Sequence, residues 1–252
     1  MPIISWKGKK LHFECRAGFA LLTLFLLGLM IRAGFWQLDR AAQKENLQVE
    51  YEQHTSLPLM SVIGALPDAD TLRFRRLRLR GRYDNDHQFL LDNRSRTLEN
   101  GAHRIGYEVL TPLRLDWGGV VLVNRGWVPA AVDRSVLPDI SISDEERQLN
   151  GVLNIPSRGF ALGALDSDNR WPRRIQFYDF TELAKRLNTD LYPAVVMLDA
   201  DQPGGYLRNW RPVIKGPAMH YGYAVQWFAM ALATIVLFGW FTVRRIKDDE
   251  NR

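Results

Sequence analysis

The apolar residues of this chain gather into two long runs, with a stretch of alternating polarity between them. Tyr221 to Val243, "YGYAVQWFAMALATIVLFGWFTV", is 23 residues without a formal charge. At about 1.5 Å of rise per residue it makes a helix long enough to cross a bilayer core. Ala17 to Ile31, "AGFALLTLFLLGLMI", is also uncharged, and "RAGFW" carries it on to Trp36. That first run reaches spanning length only if Arg32 is tolerated near its outer end. A cleaved signal peptide is the competing reading, because basic residues precede the run. Against it, Arg32 and Phe35 lie where a small-residue cleavage site would stand. The second run is too long for a buried core helix and is followed at once by "RRIK".

Beyond Trp36, residues Leu38, Ala41, Ala42 and Leu47 keep a helical period, which predicts a helix emerging from the membrane. Pro58 and "GALPD" then break it. In "LRFRRLRLRGRYD" the period changes to two. Leu77, Leu79 and Gly81 alternate with Arg76, Arg78, Arg80 and Arg82, predicting a half-buried strand with a solvated basic face. Lipid phosphates or an anionic partner are the second reading of that face. Further strands are predicted at "HQFLLDN", "GYEVLTPL", "GGVVLVNRGWVP", "RQLNGVLN" and "PAVVMLD", with turns at "DWGG" and "PSRG". One helix is predicted at "DFTELAKRLN", with Asp179 as N-cap and Glu182 three residues on. The fold class is therefore an α+β membrane protein: two transmembrane helices flank a β-rich, barrel- or sandwich-like exported domain with one or more helices.

Charge then sets the orientation. Lys7, Lys9, Lys10 and Arg16 precede the first run, and Arg244, Arg245, Lys247 and Arg252 follow the second. Basic residues stay on the cytoplasmic side, so both termini are expected there. The expected division is a cytoplasmic segment 1–16, a span 17–36, a periplasmic domain 37–219, a second span 220–243 and a cytoplasmic tail 244–252. In a Gram-negative bacterium that membrane is the inner one and the far side the periplasm. The net charge of +5 mostly reports these flanks, so no nucleic-acid partner is needed. Cys15, the only cysteine, lies outside the exported domain, which rules out a disulfide or thiolate there.

No G-x-S-x-G, H-E-x-x-H, Cys pair or phosphate loop occurs, and nothing marks an enzyme. His54, His87 and His103 are too far apart in sequence for a local metal motif. His220 differs, because it opens the last apolar run. Tyr223, Ala224, Trp227, Ala231 and Thr234 share its helical face, where the two alanines leave room for a flat group. Neutral imidazole ligates haem iron, and a porphyrin needs apolar and aromatic walls. Arg32, one turn inside Trp36, lies at a depth where it could meet propionates. The plainer reading is an interfacial anchor at His220 and a snorkelling Arg32.

The segments "GFWQLDRAAQK", "GRYD", "GYEVLTPL", "VLVNRGWVP" and "HYGYAVQWFAMA" occur in the order expected for the surfeit locus protein 1 family, which this chain resembles from the first span to the second. The resemblance implies a two-span, non-enzymatic factor assisting assembly of cytochrome c oxidase, bacterial members of which handle haem a. It places the family's span histidine at His220, as the haem-iron ligand; Tyr223, Trp227 and Arg32 join it as cofactor-binding residues on the spacing and depth already given, not on the resemblance. The Trp-Gln-x-x-Arg motif falls on Trp36, Gln37 and Arg40. Arg125 and Trp127, in "NRGWVP", complete the family motifs and are expected to be structural, with Gly126 permitting a tight turn. Implied partners are oxidase subunit I, haem a synthase and membrane lipid. The alternative is a cofactor-free scaffold for oxidase intermediates. Many relatives carry Asn shortly before the histidine, where this chain has "GPAM", so a second hydrogen bond to His220 lacks its usual donor or acceptor.

Overall fold

The computed structural model describes residues 3–6, 9–13, 17–98, 101–156, 170–208 and 217–245. In chain order these form strands β1 (Ile3–Trp6) and β2 (Lys9–Phe13), helix α1 (Ala17–Ser56) and strands β3 (Met60–Ser61), β4 (Arg76–Tyr83), β5 (Phe89–Thr97), β6 (His103–Leu115), β7 (Val120–Pro129), β8 (Glu146–Asn154) and β9 (Arg173–Ile175). Helix α2 (Phe180–Leu187), strand β10 (Leu191–Leu198), helix α3 (Ala218–Thr242) and strand β11 (Val243–Arg245) complete the order. Two compact units result: Met1–Val49 with Val213–Arg252, and Glu50–Pro212.

In the first unit, α1 and α3 are both long and apolar enough to cross a membrane. Helix α1 stops at Ser56, immediately before the Leu57-Pro58 pair, since a residue preceding proline is pushed to extended backbone. Strands β1, β2 and β11 form a three-stranded antiparallel sheet in which Val243 pairs with Phe13 and Arg245 with Leu11. The ends of the two helices at Ala17 and Thr242 therefore meet at one end of the pair, opposite the end that holds Gln37 and His220.

The second unit is a sheet in the order β3-β4-β8-β10-β7-β6-β5-β9, closed on itself by an additional β4–β6 pairing. Five strands (β4, β8, β10, β7 and β6) thus make a small barrel, deciding between the barrel and sandwich expectations. Gly81 permits the closure: it pairs with Leu115, and a Cβ there would collide with the Arg114 carbonyl. Leu77, Leu79, Leu113, Val121, Val123, Leu149, Leu153 and Val196 fill the interior. On the other face Leu122, Val195 and Met197 pack with Phe89, Ile175 and Leu183 of α2. Burial on both faces is why "VVLV" and "AVVML" read as unbroken apolar runs. Helix α2 begins as predicted, with the Asp179 carboxylate accepting from the Glu182 N–H at 3.1 Å.

All six predicted strands and the predicted helix are present. Strands β3 and β9, two and three residues long, carry too few positions for a period to show. The turn at "DWGG" is built on Gly118 and Gly119, at φ +96° and +81°. Most of the "PSRG" turn, from residue 157, lies outside the described residues. The arginine face of β4 is less free than its sequence suggests. Arg76 pairs with Asp199 at 2.7 Å and Arg80 with Glu146 and Asp116, while Arg78 donates to Asn150. Neighbouring strands supply the counter-charges.

Candidate functional site

Helices α1 and α3 pack along one stripe of each. Met30, Gly34 and Gln37 on α1 recur at helical spacing and meet Thr234, Phe228 and His220 on α3. At Gly34 the Phe228 ring lies against bare backbone: a Cβ there would sit 2.6 Å from it. The aromatic pairs Phe35–Phe228 and Phe19–Phe238, at 5.4 and 5.6 Å between centroids, extend the seam.

The outer end of this seam holds the candidate site. His220 is half-buried, and its Nδ1 lies 2.8 Å from Gln37 Oε1. An amide oxygen only accepts, so Nδ1 carries the ring proton and donates it. In the neutral ring Nε2 then keeps its lone pair. That is the tautomer a metal-ligating imidazole needs, with the second ring nitrogen fixed by a hydrogen bond. Gln37 thus supplies the hydrogen bond to the ring for which the "GPAM" segment offered no residue. One residue on, the Tyr221 hydroxyl donates to Glu45 at 3.0 Å, tying the same helix end to α1.

The remaining predicted residues are placed unevenly. Trp227 is half-buried and Tyr223 exposed, both on the flank that His220 occupies. The room expected beside Ala224 and Ala231 is taken by α1 instead. Ala224 is 1% exposed, between the His220 and Phe228 contacts, and Ala231 5%. Small residues serve close helix approach here, so a flat group has only the outward flank of Tyr223 and Trp227 beside it. Arg32 is exposed and lines a shallow groove with Leu29, Ala33, Phe35, Trp36 and Asp39. Every residue of that groove belongs to α1, so the structure does not bring Arg32 and His220 into one pocket. Trp36 is exposed, with the Arg40 guanidinium 5.4 Å from its ring centre, and Arg40 also donates to Gln43.

Arg125 and Trp127 lie inside the barrel unit. Arg125 is 2% exposed and has no carboxylate partner among the described residues. Its guanidinium donates to Gln88 Oε1, to Thr111 Oγ1 and to the carbonyls of Ile140 and Gly204, and faces the rings of Tyr206 and Tyr83. Burial works against its charge and lowers its affinity for the proton. Trp127 is 3% exposed, donates Nε1–H to the Arg94 carbonyl at 2.7 Å and lies on Gly106. Gly126, at φ +109°, is part of an irregularity within β7 where pairing with β6 shifts register between Glu108 and Leu110. It makes a bulge, not the expected tight turn. The bulge lets Arg125 turn inward beside Trp127.

Residues 24–232 match the family model described as SURF1 family. The chain belongs to the SURF1 family. It is 26% identical over 220 residues to a SURF1-like protein of Monosiga brevicollis, covering 84% of this chain and 82% of that one. It is 25% identical over 253 residues to the surfeit locus protein 1 of Rattus norvegicus, covering 86% and 73%. A SURF1-like protein of Rickettsia bellii is 24% identical over 252 residues, covering 92% and 96%. The matched span of this SURF1 family member takes in Arg32, Trp36, Gln37, Arg40, Arg125, Trp127, His220, Tyr223 and Trp227.

Sequence reading placed Gln37 in a motif but did not pair it with His220, 183 positions away. The one local signal was its place on the stripe Met30, Gly34, Gln37. Gln88 and Thr111, which hold Arg125, were not singled out at all. Among the described residues, no three His, Cys, Asp or Glu side chains come together as a metal site. His54, His87 and His103 instead bond to the Arg73 carbonyl, Asp84 and Thr97.

Proposed function

We propose that this protein is a non-enzymatic assembly factor of a bacterial inner membrane that serves haem–copper cytochrome c oxidase. It holds haem a through His220 and assists its delivery to subunit I. Membership of the SURF1 family supports the assembly role. The observation that carries the haem reading is the His220–Gln37 hydrogen bond, which commits Nδ1 as a donor and presents Nε2 as a ligand. Tyr223 and Trp227 supply the aromatic flank that a porphyrin packs against. In this reading the barrel unit is exported and docks on oxidase intermediates, and haem a synthase is the source of the cargo. Pairing of β11 with β2 supports the two termini sharing one side of the membrane.

One observation favours a second reading, a cofactor-free scaffold. Helix α1 occupies the space beside Ala224 and Ala231, and Arg32 faces a separate groove. An absorption spectrum separates the two. Protein purified from cells making haem a should show a Soret band, which His220→Ala should abolish while membrane insertion and protein amount stay near normal. Wild-type haem occupancy in His220→Ala would remove direct ligation and leave the scaffold.

A further inference from the structure

The groove on α1 has an ordered lining. From its inner to its outer end run Leu29, Arg32 and Ala33, then Phe35 and Trp36, then Asp39, around a volume of about 500 Å³. Neither Arg32 nor Asp39 has a hydrogen-bond or ion-pair partner among the described residues, and both are exposed. An arginine inside an apolar span without a partner is costly unless something of opposite charge reaches it. Arg40 does not compete for the groove, since it is held over Trp36 and on Gln43.

The order of chemistry along the helix selects an occupant. It runs apolar, cationic, aromatic and anionic toward the end where the span leaves the bilayer. A phospholipid with an amine headgroup runs the same way: acyl chain, phosphate, ammonium. Arg32 and Asp39 are seven residues apart, about 10 Å along the axis, a gap that the flexible arginine stem is long enough to shorten by snorkelling. Trp36 belongs at the headgroup level.

We infer that this groove is a binding site for a phospholipid bearing a primary ammonium headgroup, with the phosphate on Arg32 and the ammonium on Asp39. The inference rests on α1 crossing the membrane but not on haem binding. A purely acidic lipid is disfavoured, because its headgroup would place no positive charge against Asp39.

The test uses the full chain in bilayer nanodiscs of equal phosphatidylethanolamine and phosphatidylglycerol, with native mass spectrometry of the lipids that stay bound. Wild-type protein should retain phosphatidylethanolamine about fivefold over phosphatidylglycerol, the scale of one interfacial ion pair. Asp39→Asn should erase that preference while lipid is still retained. Arg32→Gln should lower retention of both lipids. Wild-type retention that mirrors the bilayer overturns the site and leaves the groove to a partner helix. An unchanged preference in Asp39→Asn also overturns it. Protein that stays out of the nanodiscs altogether sinks the membrane reading itself, a failure distinct from lost selectivity.

Discussion

Arg125 shows most plainly how a single residue organises the barrel unit. A charge taken out of water without a counter-ion needs acceptors for its donors, and here Nε and Nη1 reach four of them while two aromatic rings face the guanidinium. Arg125→Met should therefore destabilise by more than about 3 kcal/mol, because the Ile140 and Gly204 carbonyls lose their donor. Lysine cannot reproduce the forked geometry, and Arg125→Lys should recover little of the loss. Chemical denaturation of the purified protein measures both. Trp127→Ala removes a buried ring and strands the Arg94 carbonyl, at about 3–5 kcal/mol. Its first effect should be on protein abundance, read by immunoblot against wild type. Normal abundance with failed oxidase assembly would instead make this strand end a partner surface. Gln37 is the corresponding residue of the helix pair. Gln37→Leu should free the His220 ring to take either tautomer, which nitrogen-15 chemical shifts of the haem-free protein detect. An unchanged Nδ1–H tautomer would mean that Gln37 does not fix the ring.

Elements hold together where backbone comes close or where charges are brought in. The barrel closes at Gly81, and Gly81→Val should prevent the β4–β6 pairing, seen as lost amide protection in both strands on hydrogen exchange. Just past β4, the Asp84 carboxylate accepts from His87 at 2.8 Å and from Arg114 at 2.6 Å. Burial alone would raise its pKa, but these two hydrogen bonds hold it below the usual carboxylate range. A depressed folded value contributes stability that is present above the unfolded value of about 3.9 and lost as pH falls through the folded one. Thermal unfolding should thus grow easier below about pH 4, and Asp84→Asn should lose that part of the dependence. Between the long helices, Ala224→Phe would drive α1 and α3 apart. It should break the His220–Gln37 contact without touching either residue.

For the whole molecule, the two long helices and the paired chain ends give a testable topology. Alkaline phosphatase fused after Ala130 should be active, whereas fusion at the C-terminus should be inactive. An active C-terminal fusion would sink the two-span arrangement and the placement of His220 with it. The two units also differ in kind. The barrel unit owes its stability to a closed interior of apolar side chains, while the helix pair buries little beyond one stripe. Much of the apolar surface of α1 and α3 is exposed, as a lipid-facing surface would be.

The amino-acid sequence by itself determined the kinds and places of the main elements, because those depend on local periods. A short alternating or apolar stretch suffices for a strand, an uncharged run for a span, and Asp179 ahead of Glu182 for a helix start. It also marked His220 and Trp36 at the edges of apolar runs, whereas Gln37 and Arg125 came to notice only through the family resemblance. Only the tertiary structure decided what those groups do. Gln37 meets His220 because two helices far apart in sequence pack on glycine and alanine, and that same packing takes the space once reserved for a flat ligand. Arg32 turns to its own groove because its position lies off the packed stripe. No local pattern specifies the strand pairing that closes the barrel, or the one strand and three loops on which Arg125 finds its acceptors. A period records how often one face recurs; it does not record what that face will meet.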